Sequence, residues 1–231
     1  MKRVLIIGGH GKVALLAAPI LAAQGREVLS AARKAGQRED IEKAGGTFVE
    51  ADVERMDQRE IERLVSGTDA VIWSAGAGGG SPERTRAVDF EAAVRTVHAA
   101  EAAGVKRFVM VSYFGAGQDH GLPEDHDFFA YAQAKADADE ELRASSLDWT
   151  ILGPSALTDA PSSGSVDVRV DRGRDLAADS ASRETVARML AAVLDDETTL
   201  RRTIEFNDGS SSIDSRPWAA ESAEPQGESA S

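Results

Sequence analysis

The sequence predicts an α/β fold, a doubly wound parallel sheet with helices on both faces, and three observations predict it. Strand-like and helix-like runs alternate from Lys2 to about Asp196, the pattern that builds a parallel sheet covered by crossover helices. The first strand-like run, Val4 to Ile7, is apolar throughout, as a strand buried on both faces must be. Glycines then lead directly into a helix rich in alanine and leucine.

That helix reads from Val13 to Gln24, closed by Gly25, with Pro19 inside it as a source of bending. Glu27 to Ala31 is the second strand, Arg38 to Ala44 a short helix stopped by Gly45 and Gly46, and Thr47 to Glu50 the third strand. Asp57, with Glu60 three residues on, opens the next helix as a capping box that uses Asp where Ser or Thr is usual, and Gly67 ends it. Ala70 to Ser74 is the fourth strand. The glycine run from Gly76 to Gly80 reads as a hinge before a long helix, Pro82 to Ala103, stopped by Gly104. Phe108 to Ser112 is the fifth strand, about Asp127 to Ser145 a helix, and Trp149 to Leu152 the sixth strand, cut off by Gly153 and Pro154. Short strands at Val166 to Val170 and Thr203 to Phe206 bracket a helix from Arg183 to Leu194. No internal repeat is visible.

With 231 residues, 42% of them hydrophobic, the chain fills one core and is too short for two full domains. Residues 1–206 are therefore expected to form a single domain. From Asn207 to Ser231 the composition is mostly Ser, Glu, Ala, Gly and Pro, too polar to repay its ordering entropy, so a frayed tail is expected. The competing reading is a tail docked on a neighbouring subunit through Trp218.

A net charge of −13 argues against nucleic acid and anionic lipid as partners, because both carry the same sign. No apolar run approaches the roughly 20 residues needed to span a bilayer. Met-Lys-Arg resembles the start of an export signal, but glycines interrupt the following apolar run after Ile7. The absence of cysteine excludes disulfides and thiolate chemistry and fits a cytoplasmic protein. His120 and His126 stand among Asp119, Glu124, Asp125 and Asp127, but their spacing matches no metal motif, and a solvated acidic loop is the expectation.

A negative chain that binds a phosphate ligand needs a local cluster of donors. Gly8-Gly9-His10-Gly11-Lys12-Val13-Ala14 supplies one. Gly8 permits the sharp turn, Gly11 lets a pyrophosphate approach the backbone, Ala14 lets the helix lie against the strand, and the helix amides face the anion. Lys12 adds charge, and His10 reads either as a phosphate contact or as a residue tolerated in the turn. The residue after the second strand selects the dinucleotide: an acid there binds the adenosine ribose, an arginine the 2′-phosphate. Ser30-Ala31-Ala32-Arg33-Lys34 contains no acid, so Arg33, assisted by Ser30 or Lys34, favours NADP(H), with NAD(H) the alternative. Arg33 and Lys34 also read as ordinary solvated residues at a strand end.

With these residues the chain resembles the atypical short-chain dehydrogenases/reductases, in the group of NmrA-like and biliverdin-reductase-B-like proteins that bind NAD(P) on a Rossmann fold. The likeness covers roughly residues 2 to 206. It rests on the glycine loop, Glu50-Ala51-Asp52-Val53, Ser74-Ala75-Gly76-Ala77, Val111-Ser112-Tyr113, Tyr131-Ala132-Gln133-Ala134-Lys135, and Leu147 to Pro154. It implies a sheet order 3-2-1-4-5-6 and a small C-terminal extension carrying the substrate pocket, with Ser155, Leu157 and Thr158 near the ligand. It implies that Asp52 and Val53 flank the adenine, that Ala75, Gly76 and Ala77 line the ribose and nicotinamide, and that Pro154 is among the residues that bind the cofactor. Gly153 departs from the group, where arginine often precedes this proline.

Tyr131 and Lys135 lie four apart and so project from one helix face. The resemblance gives the tyrosine proton exchange with the substrate oxygen, and gives the lysine a grip on the nicotinamide ribose and a lowering of the tyrosine pKa. Ser112 would bond the same oxygen. A Tyr and a Lys at this spacing also pack and snorkel with no chemistry. Two readings of function follow: an NADP(H)-dependent oxidoreductase or epimerase-like relative acting on a small carbonyl or hydroxyl compound, and a non-catalytic redox sensor of the NmrA type. Monomer and homodimer both stay open.

Overall fold

The computed structural model describes residues 2–78 and 81–221. Strands β1 (Arg3–Ile7), β2 (Glu27–Ala32), β3 (Thr47–Glu50), β4 (Ala70–Trp73), β5 (Arg107–Val111) and β6 (Asp148–Pro154) pair in parallel in the order 3-2-1-4-5-6. Alternation along β1 explains why both faces need helices. Val4 and Ile6 enter one core, whereas Leu5 and Ile7 enter the other.

The first core lies under α1 (Lys12–Ala23) and α6 (Arg183–Val193), which pack on each other. The second lies under α3 (Gln58–Val65), α4 (residues 82–102) and α5 (Phe129–Ala144), and α2 (Arg38–Lys43) covers β3. Asp57 caps α3 as expected: its side chain accepts from the Glu60 amide at 2.8 Å, and Glu60 returns a bond to the Asp57 amide at 2.8 Å. Positive φ at Gly25, Gly45, Gly67 and Gly104 fits the stops assigned to them.

Two expectations are corrected. The helix expected from Pro82 to Ala103 is not uniform, because Arg86–Ala92 is wound as a π-helix between α-helical Pro82–Thr85 and Ala93–Ala102. The chain after Phe206 is not frayed through its described part. After β7 (Ala156–Thr158), β8 (Ser165–Val170) and β9 (Ser180–Ser182), strand β10 (Arg202–Asp208) joins the sheet beside β6, followed outward by β8 and β11 (Ser211–Ser212). Helix α7 (Pro217–Glu221) then seats Trp218 in the first core of its own chain, fully buried. Residues 222–231 lie outside the described residues. Strands β7 and β9 form a small parallel pair of their own beyond β6, the extension that the resemblance implied.

Candidate functional site

The C-terminal ends of the strands carry one continuous groove, as the topology of such sheets requires. Its first part, a cleft of about 280 Å³, is lined by Gly8, His10 and Gly11 after β1, Arg33 after β2, Asp52, Val53 and Glu54 after β3, and Arg84 on α4. Its second part, about 560 Å³, is lined by Val13, Ala77, Ser112, Tyr131, Lys135 and Leu157, among others. Ser74, Ala75 and Gly76 line both parts and join them.

The glycine turn has little freedom to be anything else. Gly8 has φ +84°, and a Cβ there would stand 2.7 Å from the Ser74 carbonyl oxygen and from the Ala75 backbone. The turn is therefore pressed against the β4 loop, and only glycine fits. A Cβ on Gly9 would meet Ser30 at 2.6 Å, so Gly9 holds the turn against β2 and does not line the groove. Such a cradle, with the α1 amides beyond it, fits a pyrophosphate.

The expected cations are only partly there. Arg33 lines the cleft, but Lys34 is exposed and does not. Ser30 is buried in β2 with its hydroxyl unpartnered, close beneath Gly46, and so cannot assist Arg33. Lys12 also lies outside the groove lining and pairs with Asp159 at 2.8 Å. His10 faces the cleft and bonds Asp40 at 2.9 Å. Pro154 is buried in β6, where its carbonyl accepts from Phe114 at 2.9 Å, and is not in the lining. Ser155 turns to Asn207 at 2.5 Å, and of Ser155, Leu157 and Thr158 it is Leu157, in β7, that lines the groove.

Tyr131, Lys135 and Ser112 do converge on the second part of the groove, and two carboxylates that sequence reasoning missed join them. Lys135 is buried, and its Nζ donates to the Val111 carbonyl at 2.8 Å. Ser112 Oγ donates to Asp139 Oδ2 at 2.6 Å. Asp139 is buried completely, and its Oδ1 has no partner. Asp89, brought inward on the π-helical turn, accepts from the Ala77 amide at 2.9 Å, and π-turns recur at such functional positions. Burial pushes both carboxyls above the ordinary range, against the pull of Lys135 on each. Burial likewise raises the Tyr131 phenol, and Asp89, Asp139 and Tyr113 raise it further. Tyr131 stacks in a trio of rings with Tyr113 and Phe128, at centroid distances of 5.1 to 5.7 Å.

Asp139 was readable in principle. It lies four residues beyond Lys135 and eight beyond Tyr131, on the same helix face. The departure at Gly153 also has a cause. A Cβ there would meet Glu205 at 2.9 Å and the Tyr113 carbonyl at 3.1 Å, and buried Glu205 is held by Arg169 at 2.6 Å and the Gly115 amide at 2.6 Å. An arginine at this position has no room. The histidines of the acidic loop serve locally: His126 Nδ1 accepts from the Phe128 amide at 3.1 Å, and the His120 ring packs on Phe129.

Fold and groove together define a dinucleotide-binding protein of the atypical short-chain dehydrogenase/reductase class. The chain belongs to the NAD(P)H-binding family, whose model matches residues 8–197. It is 36% identical over 224 residues to the UPF0659 protein C216.03 of Schizosaccharomyces pombe, covering 89% of each chain. It is 32% identical over 214 residues to the uncharacterized sugar epimerase YhfK of Bacillus subtilis, covering 91% of this chain and 96% of that one. A solved putative NAD-dependent epimerase/dehydratase from Bacillus halodurans superposes with a TM-score of 0.84 at 31% identity, over 94% of this chain and 98% of the other.

Proposed function

We propose that the protein is an NADP(H)-dependent oxidoreductase that reduces a small carbonyl compound. The observation that carries this reading is the continuity of the groove, which runs from the glycine cradle and Arg33 to Tyr131, Lys135 and Ser112 without leaving the strand ends. Gly8, Gly11 and the first amides of α1 would hold the pyrophosphate, Asp52 and Val53 the adenine, and Ala75 to Ala77 with Lys135 the nicotinamide ribose. Bound there, the nicotinamide supplies hydride. The chain supplies position and a proton. Tyr131, its phenol held protonated by burial, is the proton donor to the substrate oxygen, and Ser112 would orient that oxygen by turning to it the hydroxyl hydrogen that Asp139 now accepts. Val13, Phe128 and Leu157 add apolar surface to this part of the groove.

One observation favours a second reading, a redox sensor without turnover. Lys135 donates to Val111 and stands between buried acids, while the Tyr131 phenol is raised, the opposite of an activated tyrosine. The test is hydride transfer from NADPH to a panel of aldehydes, ketones and quinones, with wild type and Tyr131→Phe. Turnover that Tyr131→Phe abolishes while NADPH binding persists supports the enzyme. Tight NADPH binding with no compound reduced favours the sensor.

A further inference from the structure

Two arginines and one acid meet in the first part of the groove, on three different elements. Glu54, after β3, places Oε2 3.7 Å from Arg33 Nη1 and 3.4 Å from Arg84 Nε. All three residues line the same cleft. The acid is held in place from behind, because Arg95 Nη2 donates to the Val53 and Glu54 carbonyls at 3.2 and 3.3 Å. Arg84 is likewise aimed, its Nη1 donating to the Ala77 carbonyl at 2.5 Å. The Glu54 contacts themselves are long. A carboxylate seated well on a guanidinium approaches to about 2.7–2.9 Å in a forked pair, so Glu54 is an ill-fitting anion between two cations.

We propose that Arg33 and Arg84 form a two-sided clamp for the 2′-phosphate of NADP(H), and that Glu54, the anion now occupying it, is a built-in competitor that limits the preference over NAD(H). The inference rests on the dinucleotide reading above and assigns a role to Arg84 and Glu54. A phosphate monoester brings up to two charges and three acceptor oxygens, enough to engage both guanidiniums at once. A single carboxylate anchored to its own loop cannot. The 2′-hydroxyl of NAD(H) leaves Glu54 in its place and gains from it an acceptor, the arrangement that acids provide for the adenosine ribose elsewhere. Lys12, Lys34 and Arg55, which stands 3.8 Å from Asp52, do not line the cleft, which leaves Arg84 as the arginine that lines it beside Arg33.

The test is calorimetry on the full chain with NADP⁺, NAD⁺ and adenosine 2′,5′-bisphosphate. Glu54→Gln is expected to tighten NADP⁺ and the bisphosphate by about 3- to 10-fold, with the gain shrinking as salt rises, and to leave NAD⁺ unchanged or weaker. Arg84→Gln is expected to weaken NADP⁺ by about 10-fold or more and NAD⁺ by no more than about twofold, with Arg84→Lys intermediate. Equal weakening of both dinucleotides by Arg84→Gln would mean that Arg84 only shapes the Ala77 loop, and would overturn the clamp. So would a Glu54→Gln protein whose NADP⁺ affinity is unchanged or falls. Wild-type protein that binds neither dinucleotide overturns the underlying reading as well, whereas binding without this discrimination overturns the clamp alone.

Discussion

Ser112, at the groove wall, gives its hydroxyl hydrogen to Asp139 at 2.6 Å, and Asp139 behind it is completely buried with its second carboxyl oxygen unpartnered. An ionised carboxylate in that place is costly. Burial raises the Asp139 carboxyl, and Lys135 and the Ser112 hydroxyl only partly offset it. A carboxyl raised in the folded state contributes stability that is complete below its unfolded pKa and is lost as pH rises through the folded one. Wild-type stability is therefore expected to fall from the ordinary carboxylate range upward, by at most about 1.4 kcal/mol per pH unit for this group. Asp139→Asn keeps an acceptor for Ser112 and removes the titration. Its urea midpoint is expected to lose less than wild type does between acid and neutral pH, and an unchanged slope would contradict the assignment.

Tyr131 yields a kinetic counterpart. Burial, then Asp89 and Asp139, raise the phenol, so it keeps its proton throughout the neutral and mildly alkaline range. In the direction of carbonyl reduction, activity should show no decline attributable to tyrosine ionisation below about pH 10, the ordinary phenol value. Tyr131→Phe should cost about 10²- to 10⁴-fold in kcat, with the Kd for NADPH within about twofold of wild type. Steady-state rates across pH and a binding titration check both halves. A Tyr131→Phe enzyme that retains full kcat would remove the phenol from the chemistry.

Much of this was legible in the chain because parallel sheets write themselves in simple terms. Apolar runs such as Val4 to Ile7 can only be strands buried on both faces, and glycines at 25, 45, 67 and 104 mark helix ends by a backbone conformation other residues resist. The glycine loop and the Tyr131–Lys135 face were readable for the same reason, since each is a local spacing on a known element. What escaped was set by contacts between distant segments. Ser112 to Asp139, Glu54 to Arg33 and Arg84, and Lys12 to Asp159 join residues whose pairing no local period reveals. The π-turn that brings Asp89 inward is a shift of register within one helix, and the composition of residues 82–102 carries no mark of it.

Gly8 supplies the sharpest test of the cradle. Replacing it with alanine asks a side chain to adopt φ +84° and to stand 2.7 Å from the Ser74 oxygen and the Ala75 backbone. Strained φ and overpacking each cost on the order of 1–3 kcal/mol, so Gly8→Ala should lower stability by about 2–6 kcal/mol. The β4 loop lines both parts of the groove, so its displacement should also weaken NADPH binding by about 10-fold or more. Gly36→Ala, where nothing lies within 4 Å of the new methyl, serves as the control and should change neither. Thermal melts and calorimetry on the two variants separate these outcomes.

Trp218 tests whether the C-terminal segment is part of the domain. Its ring is fully buried in the first core, and its Nε1 donates to Asp196 Oδ2 at 2.9 Å. Asp196 also caps the turn of Thr198 and faces Arg216 at 3.6 Å. Although burial opposes it, the hydrogen bonds from Thr198 and Trp218 and the Arg216 charge bring the Asp196 carboxyl below its ordinary range. The linked stability is present above the unfolded pKa and is lost as pH falls through the folded one. Trp218→Ala is expected to cost about 3–5 kcal/mol by opening a cavity. Trp218→Phe keeps most of the packing and removes one hydrogen bond to a charged group, for about 1.5–3 kcal/mol, and should make the acid-side loss of stability shallower. The Kd for NADPH should not move in either variant below its melting temperature, because Trp218 packs in the core under α1 and α6 and does not line the groove. A Trp218→Ala protein as stable as wild type would mean that this segment is held only loosely, as its composition alone suggests.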